Sequence, residues 1–292
     1  MLFEDWLSDA SKVILFDGAM GTELFKRGVE PGQVPDVLNS EQPKVVQEIL
    51  KSYYDAGSDM VQSCTFGSNG VNLERHQIPD RLIDINTHAL KNIRSICPSG
   101  KLIVGDIGPS GEFRPPVGSA TGEQWQIGFQ KQAEILASGV DVWHIETMSD
   151  IEEMVSAIQA IRKFSDKPII ASMTYRKTKR GFFTIMGDSL EGCINRLEAE
   201  KVDVIGMNCT LGSADMVGLA QEAVQLTECP LSVKPNAGQP RLEGGQTTYD
   251  QSPENFVMDV KKIIEAGARI VGGCCGTSPT HIKLLRQIID SL

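Results

Sequence analysis

Ala266-Gly267-Ala268-Arg269-Ile270-Val271-Gly272-Gly273-Cys274-Cys275-Gly276-Thr277 is the stretch whose reading decides the fold. A helical pattern stops at Gly267, where glycine tolerates the left-handed conformation that closes a helix. A short apolar run follows, then a glycine-flanked turn carrying two adjacent thiols. Helix end, buried strand and polar turn in close succession are one step of a βα unit. The same punctuation recurs at Ala56-Gly57-Ser58-Asp59 and Ser138-Gly139-Val140-Asp141, each leading into another apolar run.

Working outward, runs rich in β-branched and apolar residues fall at 13–16, 60–62, 102–105, 140–145, 168–173, 202–207, 231–233 and 269–272. Helical spacing occupies 43–56, 82–96, 122–137, 151–164, 190–200, 213–226 and 253–266. Eight strands alternating with helices, with no low-complexity linker, predict an α/β fold: a (β/α)8 TIM barrel spanning residues 1–292 as a single domain. A doubly wound sheet is the alternative, because periodicity does not establish closure. The stretches 111–122, 176–187 and 238–252 read as long loops, and loops at strand carboxyl ends are where a barrel builds its site.

A chain of 292 residues, 41% hydrophobic and 23% charged, has the composition of a globular protein with a large core. A formal charge of -10 argues against nucleic acid or an anionic membrane as the main partner. The basic cluster Lys177, Lys179 and Arg180 reads as a solvated loop. No run approaches the ~20 apolar residues of a membrane helix, and the acidic Glu4-Asp5 near the amino terminus is unlike a secretory signal. Seven cysteines without disulfide-framework spacing point to a reducing cytoplasm, where thiols stay available as ligands or nucleophiles.

Neighbouring cysteines bond to each other only through a strained ring, yet both can bind one soft metal ion. A third thiol, Cys209, ends the apolar run Val204-Ile205-Gly206-Met207-Asn208-Cys209. If both runs are parallel strands, the three sulfurs meet at strand carboxyl ends, which makes a three-thiolate zinc site the first hypothesis. The residues closing the eight runs are Asp17, Thr65, Asp106, Glu146, Thr174, Asn208 with Cys209, Asn236, and Cys274 with Cys275. A lone acid after a strand is more often a cap or turn residue than a catalyst. Three acids, two amides and three thiols around one funnel form a stronger pattern. Burial as small hydrophobes suits Cys64, Cys97, Cys193 and Cys229, but not thiols flanked by glycines.

Asp17-Gly18-Ala19-Met20-Gly21-Thr22 lacks the lysine of a phosphate-binding loop and the third glycine of a dinucleotide fingerprint. It reads as a tight turn that brings Asp17 to a ligand. His144 lies inside an apolar run and reads as a core or supporting residue, whereas His76, His88 and His281 read as helix-surface positions.

Seven motifs, spread over nearly the whole chain, carry a family resemblance. They are Leu15-Phe16-Asp17-Gly18-Ala19-Met20-Gly21-Thr22-Glu23-Leu24, Tyr54-Asp55-Ala56-Gly57-Ser58-Asp59 with Thr65-Phe66-Gly67, Ile107-Gly108-Pro109, Ile145-Glu146-Thr147-Met148, Gly206-Met207-Asn208-Cys209, Pro235-Asn236-Ala237-Gly238, and Gly272-Gly273-Cys274-Cys275-Gly276-Thr277. The chain resembles the zinc-dependent homocysteine S-methyltransferase family, which includes the homocysteine barrel of cobalamin-dependent methionine synthase and, more distantly, betaine-homocysteine methyltransferase. The resemblance implies a (β/α)8 barrel in which Cys209, Cys274 and Cys275 bind one zinc ion (Zn2+) per chain and activate the substrate thiol. It also implies that Asp17 and Glu146 hold the homocysteine amino group, with Gly18, Thr65, Asn208 and Asn236 among the substrate contacts. Asn236 would stand at or behind the open metal position before substrate binds. An alkyl thiol with a pKa of ~8.5 is mostly protonated at neutral pH, so a metal that holds it as thiolate solves the problem of its reactivity.

This sequence departs from the family pattern in three places. Ser63-Cys64 replaces a common Thr-Asn, Leu50 replaces a common histidine, and Asp106 stands where serine is frequent.

The chain ends about where the homocysteine barrel ends, so the resemblance implies a donor that is a free small molecule or a methylcorrinoid carried by a separate protein. Similarity to the methionine-synthase barrel favours the methylcorrinoid. The expected activity is a cytoplasmic methyltransferase converting homocysteine to methionine. One rival is a component that demethylates a small growth substrate onto a corrinoid protein. Another is a non-catalytic zinc or redox-sensing protein, against which the three-thiol set weighs, since structural zinc sites are closed by four protein ligands.

Overall fold

The eight apolar runs pair as parallel strands in the computed structural model, which describes residues 3–29, 34–243 and 246–292. The strands are β1 (Ile14–Leu15), β2 (Met60–Gln62), β3 (Leu102–Ile107), β4 (Val142–Met148), β5 (Ile169–Met173), β6 (Val204–Gly212), β7 (Leu231–Asn236) and β8 (Ile270–Val271). A helix follows each: α1 (Pro43–Asp55), α2 (Leu82–Ile96), α3 (Gly122–Ala137), α4 (Ile151–Arg162), α5 (Leu190–Ala199), α6 (Ser213–Ala223), α7 (Pro253–Glu265) and α8 (Pro279–Ile289). The last adds to the seven that the spacing predicts. Local chemistry sets the helix starts: Asp150, Ser189 and Ser252 side chains accept backbone N–H groups as N-caps, and Thr121 forms a capping box with Gln124.

Strand order is β1-β8-β7-β6-β5-β4-β3-β2, parallel throughout. The seam between β1 and β2 is closed partly by side chains. Asp59 N–H donates to Leu15 O at 2.7 Å while Asp59 Oδ2 accepts from Leu15 N–H at 2.9 Å. Two residues on, Asp17 Oδ2 accepts from Gln62 N–H at 2.8 Å. These bonds complete the TIM barrel.

Strand side chains alternate between the two faces. Leu15, Val61, Ile103, Trp143, Ala171, Ile205 and Val271 pack outward into one large cluster with the helices. Ile14, Phe16, Met60, Leu102, Val104, Val142, Ile170, Val204 and Ile270 form a separate cluster in the lumen, joined from below by Phe3 and Trp6 of the short helix Phe3–Ser8. The apolar floor therefore lies at the amino-terminal end. Continuing the same alternation toward the carboxyl ends places Gln62, Asp106, His144, Glu146, Ser172, Asn208 and Lys234 inside, all buried. The lumen changes from oily to polar along its axis.

Several expectations need correction. β3, β4, β6 and β7 continue past their apolar runs, so Asp106, Glu146, Asn208, Cys209 and Asn236 belong to strands, because neighbouring strands and the polar lumen satisfy them. The supposed loops carry hairpins of their own: Arg176–Thr178 pairs with Gly181–Phe183, and Pro240–Glu243 with Gln246–Tyr249. Gly244 and Gly245 of the 238–252 stretch lie outside the described residues. Gly57 and Gly267 take positive φ as expected of helix ends, but Gly139 does not; a Cβ there would lie 2.7 Å from Leu90, so close packing explains that glycine. His281 is buried, its Nδ1 accepting from Ser278 N–H at the start of α8. Among the described residues no helix is long and apolar enough to cross a membrane.

Candidate functional site

Two bulges shape the carboxyl-terminal mouth. In β6 the register shifts after Asn208, and Cys209 and Thr210 adopt φ of 57° and 56°; in β4 it shifts after Ile145, with Thr147 at 62°. Bulges re-aim side chains, and left-handed non-glycine residues persist only where their surroundings hold them. Asn208 does the holding: its Oδ1 accepts from Thr147 N–H and its Nδ2 donates to Thr147 Oγ1, both at 2.9 Å.

The turn after β8 is pinned from both sides. Gly273 N–H donates to Asp17 O at 2.9 Å, Cys274 N–H to Pro235 O at 2.7 Å, and Cys275 O accepts from Ala237 N–H at 2.9 Å. A Cβ on Gly273 would lie 2.4 Å from Thr277 Oγ1, and one on Gly18 would meet both Tyr53 and Thr277 within 2.9 Å, so these glycines let the β1 and β8 turns pack together. The two bulges and this turn bring the three predicted sulfurs within 4.8 Å of one another, with Cys209 Sγ and Cys275 Sγ 3.8 Å apart.

Tetrahedral zinc with Zn–S bonds of ~2.3 Å sets neighbouring sulfurs ~3.8 Å apart. Among the described residues, no fourth histidine, cysteine or carboxylate joins the three inside that radius. The donor set thus fits a soft ion held by three protein ligands. Hydrogen bonds from Cys209 and Cys274 pull the Cys275 thiol well below the ordinary range, while hydrogen bonds with Cys209 and Cys275, and then burial, push Cys274 up.

Below the sulfurs lies a buried network. Lys234 Nζ is 2.7 Å from Asp17 Oδ1 and donates to Gln62 Oε1 at 3.1 Å. Gln62 Nε2 donates to Glu146 Oε1 at 2.9 Å, and Asn208 Nδ2 donates to Glu146 Oε2 at 2.7 Å while standing 3.7 Å from Cys274 Sγ. His144 is bracketed by Gln62 Oε1 at 3.0 Å and Ser172 Oγ at 2.9 Å. Asp106, His144 and Glu146 also place ligand atoms within 4.8 Å of one another, a second set that could hold an ion. There, however, both imidazole nitrogens and both Glu146 oxygens already have partners.

Burial raises Asp17, Asp106 and Glu146 above the ordinary carboxylate range, and Glu146 pushes Asp106 further up. Burial holds His144 far below the usual histidine value, aided by the Lys234 charge. For Lys234 burial favours loss of the proton, but Asp17 and Glu146 outweigh it and keep the ammonium.

Of the predicted residues, Cys209, Cys274, Cys275, Glu146 and Asn208 meet directly. Thr65 is fully buried beneath, its Oγ1 donating to Asp106 O at 2.7 Å and its carbonyl accepting from Gln132. Asn236 ends β7 with its Oδ1 buried and without a hydrogen-bond partner. Sequence reasoning missed Gln62 and Lys234. The signal was present: Ser232 and Lys234 alternate with Val233, the period of two that marks the inner face of a strand.

A parallel barrel with thiols and carboxylates gathered at the carboxyl ends of its strands is an enzyme scaffold carrying its reactive groups where such barrels place them. The chain belongs to the homocysteine S-methyltransferase family, whose family model matches residues 14–289. Methionine synthase of Mycobacterium tuberculosis is 30% identical over 97% of this chain, and that of Mycobacterium leprae is 30% identical over 94%. The chain spans only 25% and 24% of the length of these relatives. The metallated form of the homocysteine methyltransferase MmuM from Escherichia coli shares the fold, with a TM-score of 0.81 at 23% identity, covering 97% of this chain and 98% of that one.

Proposed function

We propose that this barrel, acting as one domain over residues 1–292, transfers a methyl group to the thiol of homocysteine and releases methionine. The observation that carries the reading is the cluster of Cys209, Cys274 and Cys275 within 4.8 Å, short of the fourth protein ligand of a structural site. These residues would hold one zinc ion. When bound, zinc supplies a Lewis acid that keeps the substrate sulfur as its thiolate. The chain does the rest by position. Asp17 and Glu146 give the mouth its negative charge for the substrate ammonium, and Asn208 links Glu146 to the sulfur cluster. Asn236 offers a free carbonyl oxygen to an incoming polar group. Gly18 and Thr65 hold the surrounding turns in place. Burial of the network excludes water from the thiol and fixes its direction of attack.

Likeness to methionine synthases supports a methylcorrinoid as donor, with small methyl donors as the other source. Metal analysis of the purified chain should give about one zinc, lost in Cys274→Ser. Homocysteine should convert the zinc X-ray absorption spectrum to four sulfur ligands. Full zinc retention in the variant, or an unchanged spectrum, refutes the reading. A panel of methylcobalamin, S-methylmethionine, S-adenosylmethionine and betaine, assayed for methionine, identifies the donor.

A further inference from the structure

Tyr249 ends the hairpin of Pro240–Glu243 and Gln246–Tyr249 and reaches the sulfur cluster from outside the barrel strands. A Cβ on Gly276 would lie 2.4 Å from Tyr249 Cγ and 2.5 Å from its Cβ, so the phenol ring rests on the glycine that follows Cys275. Gly276 takes φ of 82°, which suits glycine, and its bare backbone is what admits the ring. From there the Tyr249 hydroxyl is a hydrogen-bond partner of Cys275 Sγ. A phenol is protonated at neutral pH and donates.

The base of the hairpin is tied to the same turn. Ala237 N–H donates to Cys275 O at 2.9 Å, and Ala237 O accepts from Gln251 N–H at 3.3 Å. Gln251 Nε2 donates to Ser213 Oγ at 2.6 Å, and Ser213 Oγ to Asp259 Oδ2 at 2.8 Å. Arg241 and Asp250 pair across the hairpin at 2.8 Å. The phenol is thus held over Cys275 through its ring and through the chain on either side.

The other two sulfurs have donors within β6: Thr210 N–H serves Cys209, and Asn208 Nδ2 stands 3.7 Å from Cys274 Sγ. A site that activates a substrate thiol with three cysteine thiolates faces self-alkylation. In methyl transfer a sulfur lone pair forms the S–C bond, the bond to the leaving group breaks with its electron pair departing on that group, and no proton moves. Any of the thiolates could supply that pair. A hydrogen bond to a thiolate draws off charge and lowers its nucleophilicity.

We infer that Tyr249 is a positioning residue that acts through Cys275, its hydroxyl blunting that sulfur so that methylation falls on the substrate thiol rather than on the protein. The inference rests on the proposed zinc and homocysteine reading and deepens it.

Iodomethane applied to the zinc-loaded protein without homocysteine tests it, with tandem mass spectrometry assigning the methyl group to Cys209, Cys274 or Cys275. Tyr249→Phe keeps the ring on Gly276 and removes only the hydroxyl. The variant should keep its zinc and methylate Cys275 roughly three- to tenfold faster than wild type, the part of a hydrogen bond to a charged group that a half-formed S–C bond feels. Cys209 and Cys274 should react at the wild-type rate. An unchanged Cys275 rate overturns the inference. So does a rise at all three cysteines together, or loss of zinc from the variant, since either makes the hydroxyl a structural support. A wild type that holds no zinc overturns the zinc reading and the inference with it, a result separate from failure of the Tyr249 role in a zinc-loaded protein.

Discussion

Asn208 shows how much one side chain can organise. It holds the strained Thr147 backbone, accompanies a left-handed Cys209, and carries a hydrogen bond to Glu146. Asn208→Ala removes these bonds from buried partners, so denaturant unfolding should show a loss of about 1–3 kcal/mol. The homocysteine KM should rise about tenfold as Glu146 loses its fixed position; an unchanged KM would detach Asn208 from the substrate pocket. At this scale the sequence was uneven. Cys274 and Cys275 were legible because adjacency and flanking glycines are local facts. Lys234 was not, because the charge of a lysine suggests solvent until a strand is known to continue through it.

Among the elements, β1 and β8 are two residues each, too short to close a barrel by backbone pairing alone. Asp59 supplies what the ladder lacks: it accepts from Leu15 N–H and pairs with Lys101 at 3.0 Å and Arg286 at 3.2 Å, joining β1, β2, the start of β3 and α8. Asp59→Ala should lower unfolding stability by about 2–3 kcal/mol, the value of hydrogen bonds to a charged group. Hydrogen exchange at Leu15 should speed up in the same variant, while a seam that stays protected would contradict this role. Element type and order were readable from periodicity, and most helix ends fell close to the expected residues. Strand ends were misplaced because the apolar signal stops where the lumen turns polar, although the backbone continues.

Across the whole molecule, buried acids couple stability to pH. Burial raises Glu153, whose Oε1 accepts from Ser110 N–H at 2.7 Å, to about 7, and Asp36 to about 6. Each binds its proton more tightly folded than unfolded. Their contribution is therefore complete at pH below the ordinary carboxylate values and is lost as pH rises, through about 7 for Glu153 and about 6 for Asp36. Buried His281, held at about 4 mainly by desolvation, works in the opposite sense between that value and 6.5, so the acid effect is best read as a difference between variants. Glu153→Gln, measured against wild type by thermal unfolding, should gain relative stability of order 3 kcal/mol between pH 4.5 and 7; parallel curves would place the Glu153 proton elsewhere. By itself the sequence determined the βα order and singled out the three thiols, because periodicity, glycine punctuation and adjacent cysteines are written along the chain, whereas closure of the barrel rests on the strand order and the β1–β2 seam bonds. Only the tertiary structure decided that Lys234, Gln62, Asp17 and Glu146 form one network, since residues from β2, β4 and β7 and the turn after β1 meet only when the barrel closes.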